Sequence, residues 1–175
     1  VSPKNIFPSN IQGLPTWYEV RVNDKGYLGR RGGVDIALSV NPQSMAQDIR
    51  EVLPGGYFIY DDTKPLDLRL WRDDITIVGL PLSRICNENY EDPRQRQLFK
   101  NVIYVGALAA LLDIDFKVLT GLLEDQFKGK KNLVLPNTHA LELGYHYAQA
   151  NVACPLGIRV EKSDKVGDKI LLDGN

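Results

Sequence analysis

The segment GGVDIALSVNPQSMAQDIREVLPGGYFIYD, residues 32–61, has the pattern of a strand, a helix and a second strand. Apolar side chains alternate with others from Val34 to Val40, and a period of two is typical of a strand. Asn41-Pro42 predicts a helix start, because asparagine can accept from a free first-turn N–H and proline loses nothing at the first helical position. The first half of the segment therefore predicts a strand that runs directly into a helix.

The second half of the segment completes this unit. Met45, Ile49 and Val52 recur at spacings of four and three, which predicts a helix with one apolar face. The Pro-Gly-Gly run at 54–56 ends that helix, and residues 57–60 (YFIY) read as a second, buried strand. Two strands joined through a helix are parallel neighbours in a sheet. The segment therefore predicts an α/β fold.

The flanking regions predict the remaining strands. Residues 1–13 have no period and read as a loop, whereas 16–22 predict a strand with Tyr18, Val20 and Val22 on one face. Residues 74–79 (DITIVG) predict a third core strand that Pro81 closes. Residues 83–91 read as irregular.

Three helices are predicted after this point. Asp92-Pro93 repeats the start signal, and the helix runs to about residue 112 with an inner stripe at Leu98, Val102, Val105, Ala109 and Leu112. Asp115 caps the next helix, whose inner stripe is Phe116, Leu119, Leu123 and Phe127. Residues 132–136 link to a final helix that ends near residue 149.

These elements define the fold class as α/β, a three-layer α/β/α domain with a mostly parallel sheet. We expect residues 1–150 to form this domain and residues 151–175 to form a short C-terminal hairpin or linker outside the core. The length of 175 residues suits one sizeable core with a small appendage.

Composition narrows the classes of function. The formal net charge is −1, so the chain has no general basic field that would attract nucleic acid. No apolar run is long enough to span a membrane, and no signal peptide is visible. Cys86 and Cys154 are the two cysteines and form no CxxC, which argues against an iron–sulfur or structural zinc site in this chain. A reducing cytoplasm is the expected compartment.

Several polar groups are candidates for a site, each with a structural alternative. Parallel sheets bind ligands at the carboxyl ends of their strands. Those ends offer Asn41, Asp61, Asp62, Thr63, Lys64 and Ser83. The structural alternative is that they are caps and turns, and this is the favoured interpretation for Asn41 and Asp61, since both have a local backbone role. His139, Glu142 and His146 share one helix face, where a solvated or partner-facing surface is favoured over a metal site. Cys86 and Cys154 read as buried small side chains, and no nucleophile has a base beside it.

Arg30 and Arg31 lie among three glycines, at 29, 32 and 33. Flexible backbone with two guanidinium groups can hold a phosphate, although an exposed turn with two solvated arginines fits the sequence equally well. Residue spacing alone thus predicts an α/β domain with no recognisable group of catalytic residues.

Four runs carry a family resemblance: residues 5–22 (NIFPSNIQGLPTWYEVRV), the 32–61 segment, residues 92–101 (DPRQRQLFKN) and residues 126–130 (QFKGK). Together they resemble the gamma domain of the 2-oxoacid:ferredoxin (acceptor) oxidoreductases. The resemblance is to the gamma-type domain at the N-terminus of the alpha subunit in two-subunit enzymes such as 2-oxoglutarate:ferredoxin oxidoreductase.

The resemblance implies coenzyme-A-dependent oxidative decarboxylation of a 2-oxoacid with reduction of ferredoxin. The cofactors implied for the parent enzyme are thiamine diphosphate, magnesium and an iron–sulfur cluster, none of them held by this chain alone. The implied partners are the other alpha-subunit domains, the beta subunit and, through the complex, ferredoxin. Ser9, Asn10 and Gln12 match a family loop and are expected to face the active site, and Arg30 and Arg31 are expected to contact coenzyme A phosphates.

Two departures from the family pattern affect this interpretation. Family members have a glycine-rich strand-to-helix segment before the position of Val1, and residues 171–175 (LLDGN) look like the beginning of a thiamine-pyrimidine-binding domain. The sequence is therefore expected to be part of a longer alpha subunit and inactive in isolation. The alternative is a stand-alone α/β module that binds a nucleotide-like ligand.

Overall fold

The computed structural model describes residues 1–7, 14–27, 29–30, 32–165 and 167–168. The chain divides into two compact units. The smaller comprises Val1–Arg31 and Val160–Asn175, and the larger comprises Gly32–Arg159. The predicted division at residue 150 stays a prediction.

The smaller unit contains an antiparallel pair of strands. β1 (Ser2–Ile6) pairs with β2 (Trp17–Arg21), so that Ser2 lies opposite Arg21 and Ile6 opposite Trp17. The prediction of β2 is confirmed, but the prediction of a loop over residues 1–13 is wrong for β1. The backbone of β1 has its hydrogen-bonding partner in β2, a long-range pairing that the aperiodic sequence of β1 does not reveal.

The larger unit is built on a three-stranded parallel sheet. Its strands are β3 (Val34–Ser39), β4 (Val52–Asp61) and β5 (Thr76–Leu80), in the order β3-β4-β5. The three core strands and their parallel direction are confirmed. β4 lies in the middle, and Phe58 and Ile59 at its centre are both completely buried, on opposite faces of the sheet.

The first crossover differs from the prediction at both of its ends. Asn41 closes a turn, in which its side chain accepts from the Gln43 N–H at 3.0 Å, and helix α1 begins only at Met45 (Met45–Glu51). Val52 belongs to β4, where it pairs with Val34, and the register shifts between Val34 and Ile36. This irregularity lets the strand include the Pro-Gly-Gly run that was expected to separate helix from strand.

Four further helices follow: α2 (Leu82–Asn89), α3 (Pro93–Leu111), α4 (Phe116–Gln126) and α5 (Lys131–Asn151). Asp92 and Asp115 cap α3 and α4 as predicted, each accepting from the backbone N–H two residues later at 2.9 Å. The prediction of irregular structure over 83–91 is wrong, because Leu82, Ile85 and Cys86 give α2 a buried face.

The beginning of the last helix was also predicted wrongly. Residues 132–136 were expected to be a link, yet α5 begins at Lys131 and includes Pro136. Proline removes one backbone hydrogen bond from a helix interior, and the rest of this 21-residue helix outweighs that loss.

Small residues set the contact between α3 and α5. A Cβ on Gly106 would lie 2.1 Å from the Leu141 carbonyl oxygen, and a Cβ on Gly144 would lie 1.9 Å from that of Ile103. The two backbones therefore touch at these glycines. The predicted stripe of α3 is wrong at Leu98 and Val105, which are exposed, whereas Val102 packs against the core and Ala109 is buried. The buried face consists of Ile103, Tyr104, Gly106, Ala107, Ala109, Ala110 and Leu111.

The larger unit has three layers, as predicted. On one face of the sheet α1 packs through Ile49 against Val52 and Phe58. On the other face α2, α3 and α5 enclose the main core, which includes Ile59, Leu80, Ile103 and Leu111. The inner stripe of α4 is confirmed as its more buried side, although none of its residues is fully buried.

The described part of residues 152–168, which follows α5, contains no strand, as expected for a linker. Their first part nevertheless belongs to the core, contrary to expectation. Leu156 is buried in the main cluster and its N–H donates to the Leu111 carbonyl at 2.8 Å, while Gly157 N–H donates to the Tyr57 hydroxyl at 2.9 Å.

Candidate functional site

The carboxyl ends of the parallel strands bring several predicted polar residues to one edge of the sheet. Asp61 ends β4, and Ser83 follows β5 in the first turn of α2. Asn41, two residues beyond β3, is occupied in the turn described above. Asp62 and Lys64 are exposed beside Asp61. This is the edge at which α/β sheets bind ligands, so its geometry shows what chemistry these residues can perform.

Asp61 is the centre of a hydrogen-bonded cluster. Its carboxylate accepts from the Ser83 hydroxyl, from the Ser83 N–H at 3.2 Å and from the Thr63 N–H at 3.2 Å. The Lys100 ammonium, on α3, lies 2.9 Å from the same carboxylate and also donates to the Ser83 hydroxyl at 2.9 Å. The cluster therefore joins the end of β4 to the first turn of α2 and to α3.

The electrostatics of the cluster disfavour Asp61 as a base and Ser83 as a nucleophile. Burial raises the pKa of Asp61, whose side chain is 14% exposed, but hydrogen bonds from Ser83, Thr63 and Lys100 outweigh burial and lower it to about 2. Such a carboxylate is a weak base near neutral pH. The Ser83 proton is committed to Asp61, and the oxygen accepts from Lys100. The cluster is a structural joint.

The interior beside this joint contains a thiol and two phenols. Burial raises the pKa of Cys86, and burial raises that of Tyr104, with the charge of Asp61 adding to the effect. The hydroxyls of Tyr90 and Tyr104 are buried without a hydrogen-bond partner within the part of the chain that the structure describes. Cys86 is therefore a protonated core thiol, and Cys154 is also held as a thiol by burial, with its sulfur 3.4 Å from the Ala148 carbonyl.

The histidine face of α5 lies beside an open groove of about 470 Å³ that α2 also lines through Ile85 and Asn89. His139 Nδ1 lies 3.9 Å from Glu142 Oε2, and His146 stacks near Phe116 with 6.4 Å between ring centroids. Among the described residues, no three His, Cys, Asp or Glu side chains are grouped closely enough to hold a metal ion.

Of the residues that the resemblance indicates, the structure describes one. Arg30 pairs with Glu19, its Nη2 lying 2.6 Å from Oε1, and half of its side chain is exposed. Ser9, Asn10, Gln12 and Arg31 lie outside the described residues. Sequence reasoning did not find Lys100, because it is one of several polar residues on a long helix. It lies 39 positions after Asp61, and no local sequence pattern indicates that the two side chains meet.

Comparison with known proteins decides the family. The sequence model of the pyruvate ferredoxin/flavodoxin oxidoreductase family matches residues 1–147. The chain belongs to this family. No curated protein matches the sequence. No helix in the described part of the chain is both long enough and apolar enough to cross a membrane.

Two solved structures share the fold of this chain. One is the 2-oxoglutarate:ferredoxin oxidoreductase from Magnetococcus marinus with 2-oxoglutarate, coenzyme A and succinyl-CoA bound, at a TM-score of 0.66 and 22% identity, over 91% of this chain. The other is a keto/oxoacid ferredoxin oxidoreductase gamma subunit from Geobacter sulfurreducens PCA, at a TM-score of 0.63 and 14% identity, over 85% of this chain and 79% of that one. The chain spans 27% of the length of the Magnetococcus protein.

Proposed function

We propose that the chain is the gamma-type part of a coenzyme-A-dependent 2-oxoacid:ferredoxin oxidoreductase. Such an enzyme converts a 2-oxoacid, for example 2-oxoglutarate, to acyl-CoA and passes the electrons to ferredoxin. The observation that carries the proposal is the family match over residues 1–147, which leaves only the last 28 residues outside it. The Magnetococcus structure, which binds 2-oxoglutarate and coenzyme A, adds support through its shared fold.

The part of the reaction assigned to this chain is positioning rather than bond making. The joint formed by Asp61, Ser83 and Lys100 offers no free base, and burial raises the pKa of both thiols. With two cysteines in 175 residues, the chain lacks the four thiolates that hold an iron–sulfur cluster ligated by cysteine alone. The cluster, thiamine diphosphate and magnesium therefore belong to the other alpha-subunit domains and the beta subunit in this proposal.

The residues proposed for the active-site side are Ser9, Asn10 and Gln12, whose short polar side chains would present donors and acceptors to the substrate. Arg30 and Arg31 would hold coenzyme A phosphates. A guanidinium group carries five N–H donors, so the ion pair between Arg30 and Glu19 is compatible with a phosphate contact, and the exposed half of the side chain can be approached.

The proposal is tested in the assembled enzyme by replacing both arginines, Arg30→Ala with Arg31→Ala. Losing charge-assisted hydrogen bonds to phosphate should raise the KM for coenzyme A roughly tenfold or more while kcat changes little. Asn10→Ala and Gln12→Ala should instead lower kcat. Lys25→Ala, which removes an exposed cation from the same unit, is the matched control and should leave both constants unchanged.

The outcomes distinguish the proposed role of the two arginines from the proposed function of the enzyme. An unchanged KM for coenzyme A in the double variant would remove the arginines from the site while the function stands. If none of the 2-oxoacids tested supported ferredoxin reduction by the wild-type enzyme in the presence of coenzyme A, the function itself would be contradicted.

A further inference from the structure

One face of the antiparallel pair β1–β2 carries three cations and one carboxylate. Successive residues of a strand point to opposite faces, so Glu19 and Arg21 lie on the same face of β2. Lys4 on β1 is directly opposite Glu19, and side chains paired in this way lie about 5 Å apart at Cβ. The Arg30 guanidinium joins this face from the chain beyond β2, with Nη2 2.6 Å from Glu19 Oε1. These four residues form the cationic face of the smaller unit.

The charges of the cationic face do not cancel. Three positive charges and one negative charge leave a formal excess of two, in a chain whose net charge is −1. Asp24, beyond the end of β2, lies 3.6 Å from Lys165. Within the described residues, no ion pair joins the three cations to the acidic side chains of the second segment of this unit, Glu161, Asp164 and Asp168. The excess therefore attracts an anion.

Arg21 is the member of this face that most needs such an anion. It is partly buried, yet its side chain has no hydrogen-bond or ion-pair partner among the described residues. A guanidinium group has five N–H donors and keeps its charge, so its removal from water without acceptors is unfavourable. Lys4 is exposed and also has no side-chain partner in the described part of the chain. A bound anion would supply acceptors to both.

Arg30 also has donors available for an anion. Its contact with Glu19 is made through Nη2, and half of its side chain is exposed. The carboxylate holds the guanidinium in one orientation, so that less conformational entropy is lost when its remaining N–H groups bind. The planar fork of these N–H groups matches the oxygens of a phosphate.

The number of charges and donors indicates which anion fits. A phosphate monoester carries a charge of about −1.5 to −2 near pH 7 and has three acceptor oxygens. A carboxylate carries a single charge and has two oxygens. The excess of two charges on the cationic face therefore matches a phosphate monoester, and two guanidinium groups with one ammonium group supply donors to all three of its oxygens.

From these observations we propose that Lys4, Arg21 and Arg30 form a binding site for a phosphate monoester. This inference rests on the proposed function, which supplies the ligand, because coenzyme A carries one phosphate monoester, on its ribose ring. The site adds Lys4 and Arg21 to the residues proposed for coenzyme A, and it assigns Arg30 to the ribose phosphate.

The test compares coenzyme A with dephospho-coenzyme A, which lacks this phosphate, by isothermal titration calorimetry of the assembled enzyme. Losing charge-assisted hydrogen bonds should make the wild-type Kd for dephospho-coenzyme A roughly tenfold higher than that for coenzyme A. Lys4→Gln with Arg21→Gln should raise the Kd for coenzyme A roughly tenfold and leave the Kd for dephospho-coenzyme A unchanged. Arg21→Lys, which keeps the charge without the fork, should have a smaller effect than Arg21→Gln.

Two further variants serve as controls. Lys25→Gln removes an exposed cation of the same unit that lies outside the two strands, and it should leave both Kd values unchanged. Lys4→Gln alone changes an exposed side chain, so it keeps the test available if the double variant does not assemble. It should raise the Kd for coenzyme A by roughly threefold and should not affect dephospho-coenzyme A.

Three outcomes would overturn the inference alone: equal effects of the double variant on the two ligands, unchanged Kd values for both, and an equal effect of Lys25→Gln. If the enzyme bound coenzyme A with the expected dependence on Lys4 and Arg21 but oxidised no 2-oxoacid, the site would stand and the proposed function would fail. A wild-type complex that bound neither ligand would overturn both.

Discussion

Asp61 shows how one carboxylate can join three elements while losing chemical reactivity. Its partners come from Ser83 in α2, Lys100 in α3 and the Thr63 backbone. Removing one partner from such a cluster leaves the others desolvated and unpaired, which costs more than the net contribution of a single hydrogen bond. The joint is therefore expected to contribute to stability and not to turnover.

Acid should reveal this contribution. The pKa of Asp61 is lowered from 3.8 to about 2 on folding, so its stabilisation is complete above about pH 4 and is lost as the pH falls towards 2. This difference of about two pKa units corresponds to roughly 2 kcal/mol in the free energy of unfolding. Urea unfolding of Asp61→Asn should show a loss of this size at pH 7 and a flatter dependence of the free energy of unfolding between pH 4 and 2.

Asp125→Asn is the control for this prediction, because that side chain is largely exposed and should leave the acid dependence unchanged. If Asp61→Asn kept the wild-type acid dependence, the joint would not have the assigned strength.

Sequence reasoning placed Asp61 and Ser83 at the right edge of the sheet, because strand ends can be read from local pattern. Their joining could not be predicted. It depends on the position of Lys100 on a helix whose orientation is set elsewhere, and nothing within a few residues of Lys100 indicates which face of α3 meets the sheet.

Between helices, the decisive residues are glycines. α3 and α5 approach until backbone meets backbone at Gly106 and Gly144. The predicted stripe of α3 selected large apolar residues, as hydrophobic periodicity does, and so chose a face that is partly exposed. A contact made through small residues carries little hydrophobicity signal, which explains why the face of α3 was predicted less well than its N-terminal cap at Asp92.

Substitution at this crossing should be destabilising out of proportion to its size. Gly144→Ala would place a methyl group 1.9 Å from the Ile103 carbonyl oxygen, so the helices must separate, at a cost of roughly 3 kcal/mol or more. Gly121→Ala, on α4 with no atom within 4 Å of the new Cβ, should instead stabilise the chain by about 0.5–1 kcal/mol. Denaturant unfolding of both variants measures the difference, and equal stabilities would contradict the close approach.

Taken together, the larger unit is a small parallel sheet with a different core on each of its faces. The β-α-β segment predicted this arrangement because the three strands and the starts of α3 and α4 have strong local signals. α2 and β1 were missed, since the first is short and the second depends on a distant partner. The family could be recognised from long sequence runs, whereas the side chains at its active site could not be placed by physical reasoning from the sequence.

The proposed function requires this chain to be part of a larger oxidoreductase complex. The most direct measurement is native mass spectrometry of the protein purified from its source, read with its ultraviolet-visible spectrum. The account predicts a large complex that contains this chain, bound thiamine diphosphate and the brown absorption of an iron–sulfur cluster. A colourless particle with no more than the 19.6 kDa of this chain would contradict it and would favour a stand-alone binding module.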